Sequence, residues 1–121
     1  MDNSYIAGIR GEELAEKYLV DHGMTCLERR HREKPGEIDL IMEHGETLVF
    51  VEVKACFSGS GEGQGLRKVD AGKQRKITKC ALIYLMRHGW LRRSIRFDVV
   101  EVNQNGIIHV PNAFQPGGMM F

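Results

Sequence analysis

Apolar positions recur every three or four residues between residues 4 and 22, and Ala7, Gly11, Leu14, Ala15, Tyr18 and Leu19 fall on one stripe. That spacing predicts a helix, with Asn3 or Ser4 able to cap its start and Gly23 placed to end it. Residues 24–32 and 36–42 read as strands, followed by a turn at 43–46 in which Gly45 can take positive φ. Residues 47–55, TLVFVEVKA, form the strongest strand pattern, rich in β-branched and aromatic side chains. A glycine-studded loop covers 56–72. A second helical stripe follows at Ile77, Ala81, Tyr84 and Leu85, with Asp70 placed to cap it and Gly89 to end it. Residues 94–102 read as a strand, 103–106 as an asparagine-glycine turn, and 107–110 as a short last strand ended by Pro111. Helix, three strands, helix and one or two strands predict an α/β fold, a mixed sheet flanked by helices. No repeat or linker divides residues 1–121, so one domain is expected.

Three charges break the apolar pattern of the central strands: Asp39 in the second, Glu52 and Lys54 in the third. Alternation puts Phe50, Glu52 and Lys54 on one face. In a hairpin of 36–42 with 47–55, Asp39 lies beside the Glu52 end, but its face depends on turn register or on a bulge. Two adjacent carboxylates suit Mg²⁺ or Mn²⁺, hard cations that favour oxygen ligands. Such a metal polarises a phosphoryl oxygen and acidifies a bound water, and a lysine beside it can hold the attacking water or stabilise charge. The alternative is a surface ion-pair ladder across two strands, stabilising by ~0.2–1 kcal/mol per pair. Glu12 lies at the edge of the first helix's buried stripe.

Composition narrows the classes. With 17 Lys and Arg against 16 Asp and Glu, net charge is +1, so a case for nucleic acid must come from charge distribution. Lys68, Lys73, Arg75, Lys76 and Lys79 crowd the start of the second helix, with Arg87, Arg92, Arg93 and Arg96 later, a pattern able to contact phosphates or to form a solvated face. Cys26, Cys56 and Cys80 are odd in number and lack C-x-x-C spacing, which argues for free thiols rather than disulfides or zinc. The five histidines have no metal-ligand spacing and read as surface or turn residues, His31 being the one to watch. Trp90 reads as core. No apolar run approaches the ~20 residues needed to span a bilayer, and the N-terminus lacks a signal-peptide core, so a cytoplasmic protein without membrane contact is expected.

The blocks RGEELAEKYL, GEIDLI, LVFVEVK, KQRKI and RFDVVEV, in this order, resemble the YraN-like family of small bacterial proteins, classed with the PD-(D/E)xK nucleases that include Holliday-junction resolvases and restriction endonucleases. The resemblance covers roughly residues 8–114. It implies a restriction-endonuclease-like αβββαβ core and a Mg- or Mn-dependent endonuclease acting on DNA, including branched or structured DNA. It implies Asp39, Glu52 and Glu12 as metal ligands, and Lys54 as the catalytic lysine. Lys73, Gln74, Arg75 and Lys76 become the nucleic-acid contacts, and Glu37 is left outside the site. The chain departs from the family pattern at Arg30-His31, Pro35 and Cys56, none of which touches the carboxylates or the lysine. Many nucleases of this type act as homodimers, although no dimer interface is legible. The competing reading is a non-catalytic module that binds nucleic acid or a protein on a nuclease-like core.

Overall fold

Each predicted stripe buries against a sheet face, and the sheet carries one helix on either side. The structure, a computed structural model, describes residues 3–56 and 69–116, without the side chains of residues 3–6. The elements are α1 (Asn3–Asp21), β1 (Thr25–Glu33), β2 (Gly36–His44), β3 (Thr47–Cys56), α2 (Ala71–His88), β4 (Ile95–Asn103) and β5 (Gly106–Phe114). The strands lie in the order β1-β2-β3-β4-β5. The β3–β4 pair is parallel and the other pairs are antiparallel, so the sheet is mixed, as the pattern implies. The αβββαβ order is present, with β5 added. The glycine-rich loop expected through 59–65, and Lys68, lie outside the described residues. Among the described residues no helix is long and apolar enough to cross a membrane.

Alternation along β3 and β4 divides the core in two. Leu48, Phe50, Phe97 and Val99 pack with Ile77, Ala81, Tyr84 and Leu85 of α2. Val49, Val51, Val100 and Val102 pack with Ala15 and Leu19 of α1. Helix ends follow the expected chemistry. Asp70 has extended backbone and its side chain accepts the Lys73 N–H, and Gly89 closes α2 in the left-handed region at φ 68°. Gly11 is where α1 crosses β3: a Cβ added there would lie 3.0 Å from the Ala55 Cβ. The absence of a side chain sets how closely that helix can lie on the sheet.

Four expectations change. The last strand does not stop at Pro111 but runs to Phe114. Pro111 sits on an edge strand, where its missing N–H costs no ladder bond. The pairing shifts register between Phe97 and Val99. Across that shift the buried Asp98 accepts the Asn112 N–H at 2.9 Å, with Asn112 at φ 51°. Second, two histidines are not surface residues. His109 Nε2 lies 2.7 Å from Asp98, and His31 is wedged between Glu28 and Glu33. Third, three of the later arginines pair with acids instead of forming a phosphate patch: Arg87 with Glu33, Arg93 with Glu43 and Arg96 with Asp98. Fourth, Trp90 is only partly buried, stacked on His88 with the Arg93 guanidinium over its ring. Cys26, Cys56 and Cys80 are thiols outside any disulfide, as expected.

Two stability predictions follow from this packing. Gly11→Val should cost ~1–3 kcal/mol by overpacking the α1–β3 crossing, whereas Gly8→Ala, with nothing within 4 Å of the added carbon, should be stabilising by about 0.5–1 kcal/mol. Urea unfolding of both variants checks the pair; equal effects would mean that the crossing is loose. Asp98→Ala should cost about 3–5 kcal/mol, because it strands the Arg96 charge and the Asn112 N–H.

Candidate functional site

The site grows from the place where two strands part. β2 pairs with β3 from His44↔Thr47 to Leu40↔Val51, and no further. β1 stays on β2 to Glu33↔Gly36, and β4 stays on β3 to Cys56↔Asn103. The sheet therefore forks between β2 and β3. At the fork, Asp39 Oδ2 accepts the Val53 N–H at 2.8 Å, supplying an acceptor in place of the lost ladder.

Asp39 is turned there by a local break in alternation. Ile38 and Ile41 both pack into the α2-side core, while Leu40 and Met42 pack into the α1-side core. Regular pleating would put Ile38 with Leu40. Arg30, at φ 52°, falls between the partners Arg29↔Leu40 and His31↔Ile38, and so lies opposite Asp39. Both strands are distorted at the same level. Sequence could not choose the Asp39 face because the residue sits at this break.

The fork opens into a cavity of about 630 Å³. Gly36 and Glu37 of β2 line one wall, Asp39 and Glu52 the floor, and Asp70, Gly72, Lys73 and Lys76 of the α2 start the roof. Glu37 thus joins the site, although the sequence reading left it out. Strand alternation could not have found it, because the pleating breaks between Ile38 and Leu40. Its Oε2 accepts from Arg32 at 2.8 Å.

Electrostatics make this place unusual. Glu52 is 3% exposed, and Lys54 Nζ lies 3.4 Å from its Oε2. Lys73 Nζ reaches the same oxygen from α2. Burial, then the charge of Glu52 and a hydrogen bond between the two carboxyls, push Asp39 up from 3.8 to about 9. Asp39 therefore keeps a proton at neutral pH. Burial, followed by the hydrogen bond from Lys73, pulls the Lys54 amine below its ordinary range. Burial also acts to lower Lys73, but the hydrogen bond and charge of Glu52 outweigh it and hold Lys73 above its ordinary range.

Sequence-chosen residues divide into those the fold brings together and those it does not. Asp39, Glu52, Lys54 and Lys73 converge, and Lys76 lines the same cavity. Glu12 turns to Arg30, 2.8 Å from its Nε, although its charge still reaches Asp39. Gln74 is used within the helix start, its Nε2 donating to the Val69 carbonyl at 2.9 Å. Arg75 is exposed on the helix surface. Among the described residues no group of three or more His, Cys, Asp or Glu is placed to hold a metal. The Asp39–Glu52 pair nevertheless has the chemistry of a hard-cation site. A proton between two carboxyls and an ammonium on one of them occupy places that a divalent ion can take, with water or a phosphate completing its shell.

A protein-family model described as "Uncharacterised protein family UPF0102" matches residues 11–102. The chain belongs to the UPF0102 family. A UPF0102 protein of Persephonella marina is 40% identical over 111 residues, covering 92% of this chain and 95% of that one. Another, from Geobacter metallireducens, is 43% identical over 112 residues, covering 89% and 91%. Among solved structures, that of Pyrococcus furiosus SfsA in complex with Ca²⁺ aligns at TM-score 0.40 and 16% identity, over 89% of this chain and 63% of that one. The UPF0102 match contains every residue of the fork, from Glu12 to Lys76.

The proton on Asp39 carries a pH signature. The unfolded chain releases it near the ordinary 3.8, the folded chain only near about 9. Stability from this group is full below about pH 4 and is lost as pH rises towards 9. Asp39→Asn removes that loss, so its melting temperature at pH 8 should exceed that of the wild type by ~4 °C or more. Scanning calorimetry from pH 4 to 9 should show a flatter profile for the variant; parallel profiles would mean that Asp39 is ionised in the fold.

Proposed function

We propose that this UPF0102 member is a metal-dependent endonuclease of the PD-(D/E)xK type, hydrolysing phosphodiester bonds in DNA, branched or structured DNA included. The observation that carries the reading is the buried Asp39–Glu52 carboxyl pair with Lys54 beside it at the floor of an open cavity. The resemblance of GEIDLI and LVFVEVK to the YraN-like blocks supports the same residues. On this reading Asp39 and Glu52 hold Mg²⁺ or Mn²⁺, which supplies Lewis acidity towards a phosphoryl oxygen and an acidified water. Glu12 would bind the ion directly or through water, after leaving Arg30.

The chain's own groups do the rest. Asp39 would give up its proton to hold the ion, while its Oδ2 is kept in place by the Val53 N–H. Lys54, beside Glu52 at the cavity floor, is suited to orient the attacking water or to stabilise charge on the phosphoryl group. Lys76 at the cavity edge and Arg75 on the exposed helix surface offer charge to phosphates on either side of the scissile bond. Cytoplasmic location, where DNA and Mg²⁺ meet, belongs to this proposal. A second reading is favoured by Glu52 being already paired with two lysines: a DNA-binding module that does not cut.

Calorimetric titration of Mn²⁺ with cleavage assays on branched and linear DNA tests both. Asp39→Ala and Glu52→Gln should lose the metal and the cleavage. Lys54→Met should keep the metal and lose about 100-fold or more in rate. Cleavage by a clean Asp39→Ala preparation at the wild-type rate would refute the nuclease reading. Metal-independent DNA binding with no cleavage by the wild type would establish the module.

A further inference from the structure

The cation already on Glu52 has a position that the nuclease reading does not explain. Lys73 belongs to the first turn of α2, where its N–H is capped by Asp70 at 2.9 Å. Its side chain crosses the cavity to β3 and meets the same Glu52 Oε2 that Lys54 approaches. The two lysines are not equivalent. Lys54 rises from the strand beside Glu52 and is 20% exposed, whereas Lys73 hangs from the cavity roof and is 42% exposed. An ion of charge +2 on Glu52 repels both ammonium groups and competes directly for Oε2. Lys54 is the more enclosed of the two, whereas Lys73 has an open side into which its side chain can swing.

We propose that Lys73 is a placeholder cation: it neutralises buried Glu52 while the site is empty of metal and moves to a backbone phosphate of DNA once metal binds. The exchange rests on the nuclease reading above and adds a substrate-positioning role for one residue. It has a physical rationale. A buried carboxylate is costly unless closely compensated, and Lys54 stands off at 3.4 Å, so a second cation in direct contact with Oε2 stabilises the empty fork. A lysine fixed in that direct contact would compete with the metal at every turnover. A lysine on the cavity rim serves both states, since phosphate is the nearest new anion when DNA covers the opening. Lys76, one turn along, is exposed and lines the same cavity, so the freed Lys73 charge adds to a second cation at that edge. Coupling follows: metal loading is what frees Lys73 for its DNA contact.

The test uses the full chain and two probes. Mn²⁺ affinity is measured by calorimetry on the wild type, Lys73→Met, Lys73→Arg and Lys76→Met. Affinity for a phosphorothioate DNA duplex, which resists hydrolysis, is measured by fluorescence anisotropy with and without Mn²⁺. Lys73→Met should bind Mn²⁺ about tenfold more tightly, because it removes a competing charge-assisted contact. It should bind the duplex about tenfold more weakly with Mn²⁺ present and equally well without it. Lys73→Arg should restore wild-type behaviour in both, and Lys76→Met should weaken DNA binding whether or not metal is present. Wild-type Mn²⁺ binding with equal or weaker binding by Lys73→Met overturns the exchange and leaves the nuclease reading standing. Loss of DNA affinity by Lys73→Met without Mn²⁺ overturns it too, by showing Lys73 on phosphate from the start. No Mn²⁺ binding by the wild type, with or without the duplex, overturns both. Melting curves on Lys73→Met, compared with Lys73→Arg and the wild type, guard against a folding defect in the methionine variant.

Discussion

At the point where β2 leaves β3, the Val53 N–H points to Asp39 and is accepted at 2.8 Å. A buried N–H left without an acceptor costs roughly 1–3 kcal/mol, so two strands cannot part inside a sheet unless some group takes over. The aspartate does so, and the gap it permits becomes the cavity. The rest of the site is arranged around this substitution. Glu52 faces the gap because β3 continues along β4 after β2 has left. The α2 start can reach down to Glu52 because no strand stands between them.

The fork forces two carboxyls together in a place with little water. Like charges there cannot both ionise at ordinary cost, and the site resolves this by keeping a proton on Asp39 and a lysine on Glu52. The resting site is close to electrically balanced with no metal in it. The balance is nevertheless poised, since each neutralising group is one that a hard dication displaces. Lys54, with its charged form disfavoured by burial and by its neighbour Lys73, is the third member of that balance.

Asp98 performs the same backbone service on the other side of β4. It accepts the Asn112 N–H where the β4–β5 ladder shifts register, as Asp39 does for Val53. Its charge state is the reverse. Burial acts to raise Asp98, but hydrogen bonds from His109 and Arg96 outweigh it and hold its carboxyl below the ordinary range. A buried aspartate at a strand irregularity is therefore not in itself a reactive group. Partners and burial together decide: basic side chains outweigh burial and keep Asp98 an anion that ties β5 to β4, whereas burial, reinforced by a second carboxyl, makes Asp39 a proton holder.

Much of the architecture was legible along the chain, for local reasons. Ile77, Ala81, Tyr84 and Leu85 mark the buried face of α2, Asp70 and Gly89 its ends, and the β-branched run of 47–55 its strongest strand. The alternation of Phe50, Glu52 and Lys54 placed two of the site charges on one face. Each of these depends on spacing within a few residues. The extension of β5 through Pro111 was not legible, because the acceptor that allows it, Asp98, is remote in sequence. Nor were the pairings that withdrew Arg87 and Arg93 from the basic surface, made with Glu33 and Glu43 on strands remote in the sequence; the Arg96–Asp98 pair, two residues apart on β4, was a local one. The sequence by itself determined which charges are unusual for a strand and which helix carries the cations. Only the tertiary structure decided that Asp39 turns into the fork, that Glu12 pairs with Arg30, and that Lys73 of the helix lands on Glu52. Those outcomes depend on register, strand separation and helix placement, which are set by packing between segments far apart in the chain.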